Sequence, residues 1–367
     1  MHLGLIVGST AVGGIENQML LLARGLMKLG HEVTVICSDH PACRFQKIIG
    51  SELDFSGIPM LKLCIRRGYR YLYYPWGKWQ IKRRKIDILI GNDPANAYAG
   101  SVLSGGRIPL LTHISGLTFA VTGERAAQEK EQLRISIKAS HMVISNTQIA
   151  IDTAEALDLI PQGTPCRVIH NGVVAPSACA EFKSGRLHVL YVGRLHPIKD
   201  PMTMLKALKI AKKDLPGLTG EFVGSGVLFD EMQSYITKHK LGDFVKLSGF
   251  IPPGNIPYTQ ADLLVNSSIS ELSSGAIAEA LYHGIPVIAS DVGGNPELAG
   301  NPEFGVLFPP GDATALAKAI VDFGSKSLEE RRQMGNKARE FAEKMFALEN
   351  YVLNYIDLAN DVLNKKH

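Results

Sequence analysis

Residues 261–297 read ADLLVNSSISELSSGAIAEALYHGIPVIASDVGGNPE. The apolar run at 261–266 predicts a strand, and Ala276 to Tyr282 is a run of strong helix formers that stops at Gly284. The apolar run at 286–289 predicts the next strand. A strand, a helix and a second strand in this order predict a parallel sheet covered by helices, which is an α/β architecture.

Two glutamates, Glu271 and Glu279, flank the expected start of this helix. The free backbone N–H groups of a helix start attract an anion. Carboxylates beside such a site would repel a bare phosphate, but they accept hydrogen bonds from hydroxyl groups. A phosphate with hydroxylated groups on either side describes a sugar nucleotide, so we expect Ser273, Ser274 and Gly275 to border its phosphates.

Alternating strands and helices run along the whole chain in two series, which favours two Rossmann-like domains with parallel sheets. In the first series, residues 15–29 show one apolar stripe and predict a helix that ends before Gly30. Small residues and prolines dilute the pattern between Asn171 and Arg186, where we expect the domain junction. The expected strands are Leu3–Val7, Glu32–Cys37, Ile86–Ile90, Leu110–His113 and His141–Ser145, then Val189–Val192, Thr219–Val223, Val245–Ser248, Asp262–Asn266 and Pro286–Ala289.

Composition describes a folded globular protein of 367 residues, with 46% apolar and 20% charged residues. No apolar run reaches the roughly 18 residues that span a bilayer, and the N-terminus reads as a first strand rather than a signal peptide. We therefore expect a cytoplasmic protein. The five cysteines form no Cys-x-x-Cys pair, so neither a disulfide framework nor a metal site is expected.

A cationic motif, VGRLHPIKD at 192–200, follows the first strand of the second series. Ligands bind at the carboxyl ends of strands in such sheets, and Arg194 and Lys199 are close enough in sequence to point into one site. Arginine offers phosphate oxygens a fork of donors, and lysine a compact charge. The motif therefore predicts a diphosphate site.

Glycine-rich turns follow several other expected strands and would let a ligand approach the backbone. Gly13-Gly14 lies between the first strand and the first helix, yet it matches neither the dinucleotide fingerprint nor the P-loop. Gly224 and Gly226, and then Phe250 with Ile251, follow two strands of the second series.

On these motifs the chain resembles the retaining glycosyltransferases of family 4, which carry a Glu-x7-Glu signature on the GT-B scaffold. That scaffold has two Rossmann-like domains facing each other across a cleft, with a C-terminal helix crossing back. The resemblance implies an N-terminal acceptor domain at 1–175, a nucleotide-sugar domain at 176–345, and a helix at 346–367 that packs on the first domain. One departure is the text after Glu271, where the family usually has Gly-aromatic-Gly and this chain has Leu-Ser-Ser-Gly.

The resemblance also implies a role for each site residue. Arg194 and Lys199 would hold the donor diphosphate, while Glu279 would bind the ribose hydroxyls. Glu271 and His113 would line the donor sugar from two sides. Of the remaining residues, Gly13 and Gly14 would lie near the phosphates, and Gly224, Gly226, Phe250 and Ile251 would border the base.

The implied activity is transfer of a sugar from a nucleoside diphosphate sugar, UDP- first, to a hydroxyl of a glycan or lipid-linked acceptor. Surface polysaccharide or lipopolysaccharide biosynthesis would be the setting. No metal and no cofactor are implied, and the chain has no Asp-x-Asp. Two other functions stay open: a sugar-nucleotide epimerase on the same scaffold, and a non-catalytic sugar-nucleotide- or glycan-binding protein.

Residues 62–85 form a basic-aromatic segment with nine cations, no acid and both tryptophans of the chain. Aromatic residues interleaved with cations suit an anionic membrane interface, so one interpretation is docking on the inner membrane leaflet near a lipid-linked acceptor. The alternative is a solvated helix whose aromatic side chains are buried. No nucleic-acid-binding module accompanies the segment, so nucleic acid is not expected as a partner.

Overall fold

The computed structural model describes residues 1–8, 13–38, 53–63, 70–114 and 124–365. The chain forms two compact units, one made of residues 1–172 and 348–367, the other of residues 173–347. Each unit is built on one parallel sheet with helices, the first sheet with seven strands and the second with six. The predicted α/β class with two Rossmann-like domains is thus confirmed.

The sheet of the first unit has the strand order β3-β2-β1-β4-β5-β6-β7, with every pair parallel. The strand order reverses between β1 and β4, and ligands bind at such switch points in open α/β sheets. The central strands are buried along almost their whole length, as expected for a sheet with helices on both faces. The strands are β1 His2–Val7, β2 Glu32–Cys37, β3 Met60–Lys62, β4 Ile88–Asn92, β5 Leu110–Ile114, β6 Met142–Ser145 and β7 Cys166–Val168.

The helices of the first unit include one that comes from the end of the chain. Helix α1 buries Met19, Leu22 and Leu26 against the sheet. The last helix, α12, packs on α1, where Gly25 leaves room for Val352 and a Cβ at position 25 would overlap that side chain. These helices are α1 Gly14–Lys28, α2 Arg70–Arg83, α3 Asp93–Ser104, α4 Glu124–Lys138, α5 Gln148–Ala156 and α12 Leu348–Asn364.

The sheet of the second unit has the order β10-β9-β8-β11-β12-β13, again parallel throughout, with its switch point between β8 and β11. Its strands are β8 Leu187–Val192, β9 Leu218–Val223, β10 Val245–Gly249, β11 Leu263–Asn266, β12 Val287–Ser290 and β13 Gly305–Phe308. Its helices are α6 Pro201–Ala211, α7 Phe229–His239, α8 Gly275–Tyr282, α9 Asn295–Ala299, α10 Ala313–Gly324 and α11 Leu328–Phe346.

The structure differs from the sequence-based expectation at a few element boundaries. The strand expected from Ile86 begins at Ile88, because Lys85 ends the preceding turn in the left-handed region at φ 53°. Sequence reasoning missed β3, β7 and β13, edge strands of three or four residues that are too short to show a period. The C-terminal helix expected from Phe346 begins at Leu348, since Phe346 is the last residue of α11.

Candidate active site

The candidate site of the second unit lies at the carboxyl ends of β8 and β11, which is the switch point of this sheet. The loop after β8 is fixed to the loop after β9, because Leu195 N–H donates to Ser225 O at 2.9 Å. Gly224 and Gly226 have φ values of +147° and +157°, and a Cβ at either position would overlap the backbone carbonyl of Gly193 or Leu195. Both glycines are therefore required by the close packing of these two loops.

Lys199 and Glu271, two residues singled out from the sequence, form an ion pair through Lys199 Nζ and Glu271 Oε2. The pair is largely desolvated, with 22% of the lysine side chain and 10% of the glutamate side chain exposed. Ser268 Oγ donates a longer hydrogen bond to the same carboxylate oxygen at 3.4 Å. The carboxylate therefore faces a fixed cation at the end of the sheet.

Backbone hydrogen bonds fix the loops that carry this ion pair. Ile269 N–H donates to Ile198 O at 2.9 Å, and Ser267 Oγ donates to Asp200 O at 2.7 Å. On its other side the Glu271 carbonyl accepts from Gly294 N–H at 3.1 Å. The segment that follows β12 therefore fixes Glu271, the residue at which the unusual loop begins.

Arg194 is the second cation of the site and the more available one. Its side chain is exposed, and within the described ranges no carboxylate pairs with its guanidinium. Its carbonyl accepts a hydrogen bond from Tyr191 Oη at 3.1 Å, which fixes the backbone beneath the guanidinium. Burial raises the pKa of Tyr191 far above its ordinary value, so this phenol stays neutral and keeps donating. Arg194 can therefore receive an anion without giving up an internal partner.

Helix α8 begins next to Glu271, as the sequence predicts. Ser274 is its N-cap, and its buried Oγ accepts from Ile277 N–H at 3.4 Å and from Asn266 Nδ2 at 3.0 Å. Gly275 is exposed, with no atom of the described residues within 4 Å of the place where its Cβ would stand. Ser274 therefore supports the helix start, while Gly275 leaves it open to a ligand.

Glu279 lies one turn further along α8 and is held by a residue that sequence reasoning missed. Tyr258 Oη donates to Glu279 Oε2 at 2.7 Å, and the Tyr258 ring stacks on His283 with the ring centroids 4.9 Å apart. Burial raises the pKa of Glu279, and the hydrogen bond from Tyr258 opposes that rise. No motif marks Tyr258, since its partner is 21 residues away in the chain.

The residues expected near the base follow β9 and β10, which are neighbours in the sheet. Gly224 N–H donates to Gly249 O at 2.7 Å, so the two strand-ending turns are joined. Phe250 comes next and exposes a large apolar ring, whereas Ile251 is half-buried. An exposed ring beside a glycine turn suits the stacking of a flat base.

His113, the residue singled out in the first unit, is the penultimate residue of β5 and is only 2% exposed. Its Nδ1 contacts Asn92 Oδ1 and its Nε2 contacts Asn146 Oδ1. Burial lowers the pKa of His113 to about 4, against a smaller opposite effect of the hydrogen bond to Asn146. A neutral imidazole carries a single N–H, so one of the two asparagines must present its NH₂ group to the ring.

The two glycines of the predicted Gly13-Gly14 pair differ in their surroundings, because a Cβ on Gly13 would overlap the carboxylate of Glu16. Gly13 is the N-cap of α1 and Gly14 is its first residue, while residues 9–12 lie outside the described part of the chain. No described atom lies within 4 Å of a Cβ built on Gly14. The described residues therefore give no steric reason for glycine at position 14.

Within the basic-aromatic segment, Lys62 ends β3 and residues 70–83 form α2, whereas residues 64–69, with Arg66 and Arg67, lie outside the described residues. Trp76 is 41% exposed and Trp79 is 53% exposed, with Arg83 above the Trp79 ring at 5.4 Å. The alternative in which the aromatic side chains are buried is therefore wrong for the two tryptophans. Over the described ranges, no helix is both long enough and apolar enough to cross a membrane.

Comparison with known proteins identifies the family of this chain. Residues 12–175 match the profile described as glycosyltransferase family 4, and residues 179–341 match the profile described as glycosyl transferases group 1. Spore coat protein SA of Bacillus subtilis is 33% identical over 184 residues, which are 47% of this chain and 48% of that protein. This chain thus spans about half the length of that relative.

Two similarities extend over nearly the whole chain. N-acetyl-alpha-D-glucosaminyl L-malate synthase of Bacillus anthracis is 23% identical, over 97% of this chain and 95% of that protein. Among solved structures, Anabaena Alr3699/HepE in complex with UDP has a TM-score of 0.79 and 21% identity, and the match covers 98% of this chain and 100% of that one. With both halves matched, the chain belongs to family 4 of the glycosyltransferases and has the two Rossmann-like units of the GT-B fold.

Proposed function

We propose that this protein is a retaining glycosyltransferase that moves a sugar from a nucleoside diphosphate sugar, with UDP as the first candidate, to a hydroxyl of a glycan or lipid-linked acceptor. One observation carries the proposal: Arg194, which is exposed and has no carboxylate partner among the described residues, shares the switch point of the second unit with the Lys199–Glu271 pair. Homologues named for polysaccharide biosynthesis, such as the amylovoran glycosyltransferase AmsK of Erwinia amylovora, support surface polysaccharide or lipopolysaccharide synthesis as the setting.

In this proposal the diphosphate binds to the two cations. Arg194 donates hydrogen bonds directly to the phosphate oxygens. The Lys199 ammonium interacts with both Glu271 and the β-phosphate. Glu271 then accepts hydrogen bonds from the hydroxyls of the donor sugar. Glu279 binds the ribose, because its Oε1 receives no hydrogen bond from the described residues while Oε2 is occupied by Tyr258.

The reaction would need no covalent intermediate. The bond from the anomeric carbon to the β-phosphate oxygen breaks with its electron pair on the diphosphate, and the acceptor oxygen bonds the same face of that carbon. The acceptor proton passes to the departing phosphate oxygen, and the charge that develops there is stabilised by Arg194 and Lys199. We propose that this field of fixed cations replaces a metal ion.

The experiment that tests the proposal begins with a thermal-shift panel of UDP-, GDP- and ADP-sugars, since a ligand of the native state raises its apparent melting temperature. The donor that shifts the protein is then incubated with and without a hydroxyl acceptor, and the anomeric configuration of any product is read by NMR. A product with the donor's configuration, formed only with acceptor, is expected. Conversion of the donor alone would instead identify an epimerase, and binding without any turnover a non-catalytic protein.

We further propose that α2 docks the protein on an anionic membrane leaflet. Trp76 and Trp79 are exposed next to Lys78, Lys82 and Arg83, which are exposed as well. Amphipathic rings settle at the headgroup level, and each basic residue near an anionic surface adds about 1 kcal/mol. Charge and exposed rings on one helix therefore support a peripheral contact.

Sedimentation with vesicles of phosphatidylglycerol and phosphatidylcholine tests this contact. The variant Lys78→Gln/Lys82→Gln/Arg83→Gln removes three exposed cations and should weaken binding by about 3 kcal/mol, or more than a hundredfold. The matched control Lys206→Gln/Lys213→Gln/Lys238→Gln removes three cations of the second unit and should bind as the wild type does. Equal sedimentation of the two variants would contradict the membrane contact and leave the transfer reaction as proposed.

A further inference from the structure

A cavity of about 430 Å³ lies in the second unit, between the segment that follows residue 178 and helix α11. Its apolar part is formed by Phe182, Gly284 and Gly335, where two chain segments pass closely. A Cβ on Gly335 would stand 2.6 Å from Gly284 O and 2.8 Å from the Phe182 ring. Tight backbone packing thus forms the floor of a cavity that is open to solvent on its polar side, and its volume is that of a small-molecule pocket.

The polar part of the cavity carries three cations, Lys183, Arg332 and Arg339, against the single carboxylate of Glu181. Arg339 is engaged, since its Nε donates to Glu343 at 2.7 Å and its Nη1 contacts Cys179 Sγ. No ion pair of the described residues involves Lys183 or Arg332. Two cations at one pocket without anionic partners favour a ligand that brings negative charge.

The cavity is connected to the candidate active site through its lining residue His283. The His283 ring stacks on Tyr258, and Tyr258 Oη donates to Glu279. His283 is also fixed to the cavity wall, because its Nδ1 contacts Ala178 O at 3.0 Å and its carbonyl accepts from Ala180 N–H at 2.9 Å. A ligand in the cavity would therefore press on a side chain only two contacts away from the proposed ribose site.

We propose that this cavity binds a small phosphorylated anion through Lys183 and Arg332, and that its occupant tightens nucleotide binding by holding His283 against Tyr258. The second half rests on the proposed function. The site shares no residue with the Arg194–Lys199 seat, so the two can be occupied together. Arg332 supplies a fork for phosphate oxygens, and Lys183 supplies a point charge.

Cys179 provides a local readout because it lines the cavity. The alkylation rate of Cys179 by iodoacetamide is followed by peptide mass spectrometry, with inorganic pyrophosphate as the probe and sodium chloride at equal ionic strength as the reference. When the pyrophosphate concentration is ten times its dissociation constant, occupancy of the cavity should slow the alkylation of Cys179 about tenfold. Cys166, a partly exposed cysteine of the first unit, should react at an unchanged rate.

Variants distinguish anion binding in the cavity from anion binding at the donor seat, the proposed diphosphate site of Arg194 and Lys199. Lys183→Glu/Arg332→Glu should abolish the protection of Cys179, while Lys213→Glu, an exposed lysine of the same unit, should keep it. Arg194→Ala/Lys199→Ala should also keep it, because those residues do not line the cavity. Absence of protection in the wild type, protection that survives the double reversal, or protection that disappears with the donor seat would each overturn the proposal.

The coupling is measured as the affinity for UDP with and without pyrophosphate, by calorimetry. Pyrophosphate competes at the donor seat in every variant, so the Lys183→Glu/Arg332→Glu variant records competition alone. When pyrophosphate is added, the UDP affinity of the wild type should fall several-fold less than that of this variant. An equal fall in both proteins would refute the coupling. A protein that binds no nucleotide refutes the proposed function and the coupling with it, while the protection of Cys179 still decides whether the cavity binds the anion.

Discussion

The two units have the same kind of sheet but use its carboxyl edge in different ways. In the first unit, His113 at the end of β5 is buried, and both of its ring nitrogens contact asparagine side chains. In the second unit, the equivalent edge presents an exposed Arg194 next to the Lys199–Glu271 pair. Among the described residues, the same topology thus places a buried, hydrogen-bonded histidine at the edge of the first unit, which we call the satisfied edge, and an exposed arginine beside an ion pair at the edge of the second, which we call the cationic edge.

The largest effect is expected from Lys199→Ala, which removes the desolvated cation at the carboxyl edge of the second unit's sheet. Glu271 would be left without its cation, and the departing diphosphate would lose a charge-assisted partner. Removing one such donor typically lowers turnover by a factor of about 10²–10³. Steady-state kinetics with the donor identified by the panel measures the loss, and circular dichroism shows whether the variant is folded.

A second lysine–carboxylate pair of the same sheet supplies the matched control. Lys246 pairs with the buried Glu221 at 3.0 Å, and its side chain is 71% exposed. Lys246→Ala should leave turnover within about twofold, because the lysine end of this pair is largely exposed to water, Glu221 keeps its hydrogen bond from Ser248 Oγ, and neither partner belongs to the candidate site. Equal losses in the two variants would mean that Lys199 acts through stability, and the contrast between the two edges would fail.

Sequence reasoning located the cationic edge because its signals are local. A strand run followed by Arg194 and Lys199, and a helix start after Glu271, can each be recognised within ten residues. The ion pair itself joins positions 72 residues apart, and only the parallel neighbours β8 and β11 bring them together. Tyr258 was missed for a related reason, since an ordinary aromatic residue in a short turn carries no chemical signature.

The satisfied edge of the first unit was harder to predict. His113 could be recognised as a strand-end histidine, but its ring partners Asn92 and Asn146 lie at the ends of two other strands, β4 and β6. Polar residues at the ends of three neighbouring strands were the available signal. The role of His113 at the donor sugar stays a prediction, because a sugar contact requires the ring to give up an asparagine.

The second-largest effect is expected at His113, whose contribution to the free energy of unfolding depends on pH. The pKa of His113 is lowered to about 4 in the folded protein, chiefly by burial, against about 6.5 in an unfolded chain. Between these values the unfolded state binds the extra proton, so His113 contributes a loss of stability as pH falls from 6.5 to 4. The shift corresponds to about 3 kcal/mol over that window.

Urea unfolding of the wild type and of His113→Gln, measured at several pH values, isolates this contribution. The variant is expected to be less stable at pH 7 but to lose about 3 kcal/mol less than the wild type between pH 6.5 and 4. Other groups titrate in both proteins, so only the difference between the two curves is interpreted. Parallel curves would show that His113 keeps its ordinary pKa in the folded protein, which would contradict a ring buried between two asparagines.

The smallest effect is expected from Tyr258→Phe, which deletes the hydroxyl that donates to Glu279 in the second unit. Glu279 would lose the hydrogen bond that opposes the rise of its pKa, so its neutral form would become more populated as pH falls. A lost hydrogen bond of this kind is worth about 1 kcal/mol, or about a fivefold loss of UDP affinity at pH 7. Calorimetry at pH 7 and pH 5.5 should show a larger loss at the lower pH. As a control, Tyr355→Phe deletes a buried phenol hydroxyl of the first unit, whose ring packs against Tyr351 with the centroids 5.1 Å apart, and should leave UDP affinity unchanged at both pH values. A loss that is the same at pH 7 and pH 5.5 would mean that Tyr258 supports the ribose site by packing rather than by keeping Glu279 ionised.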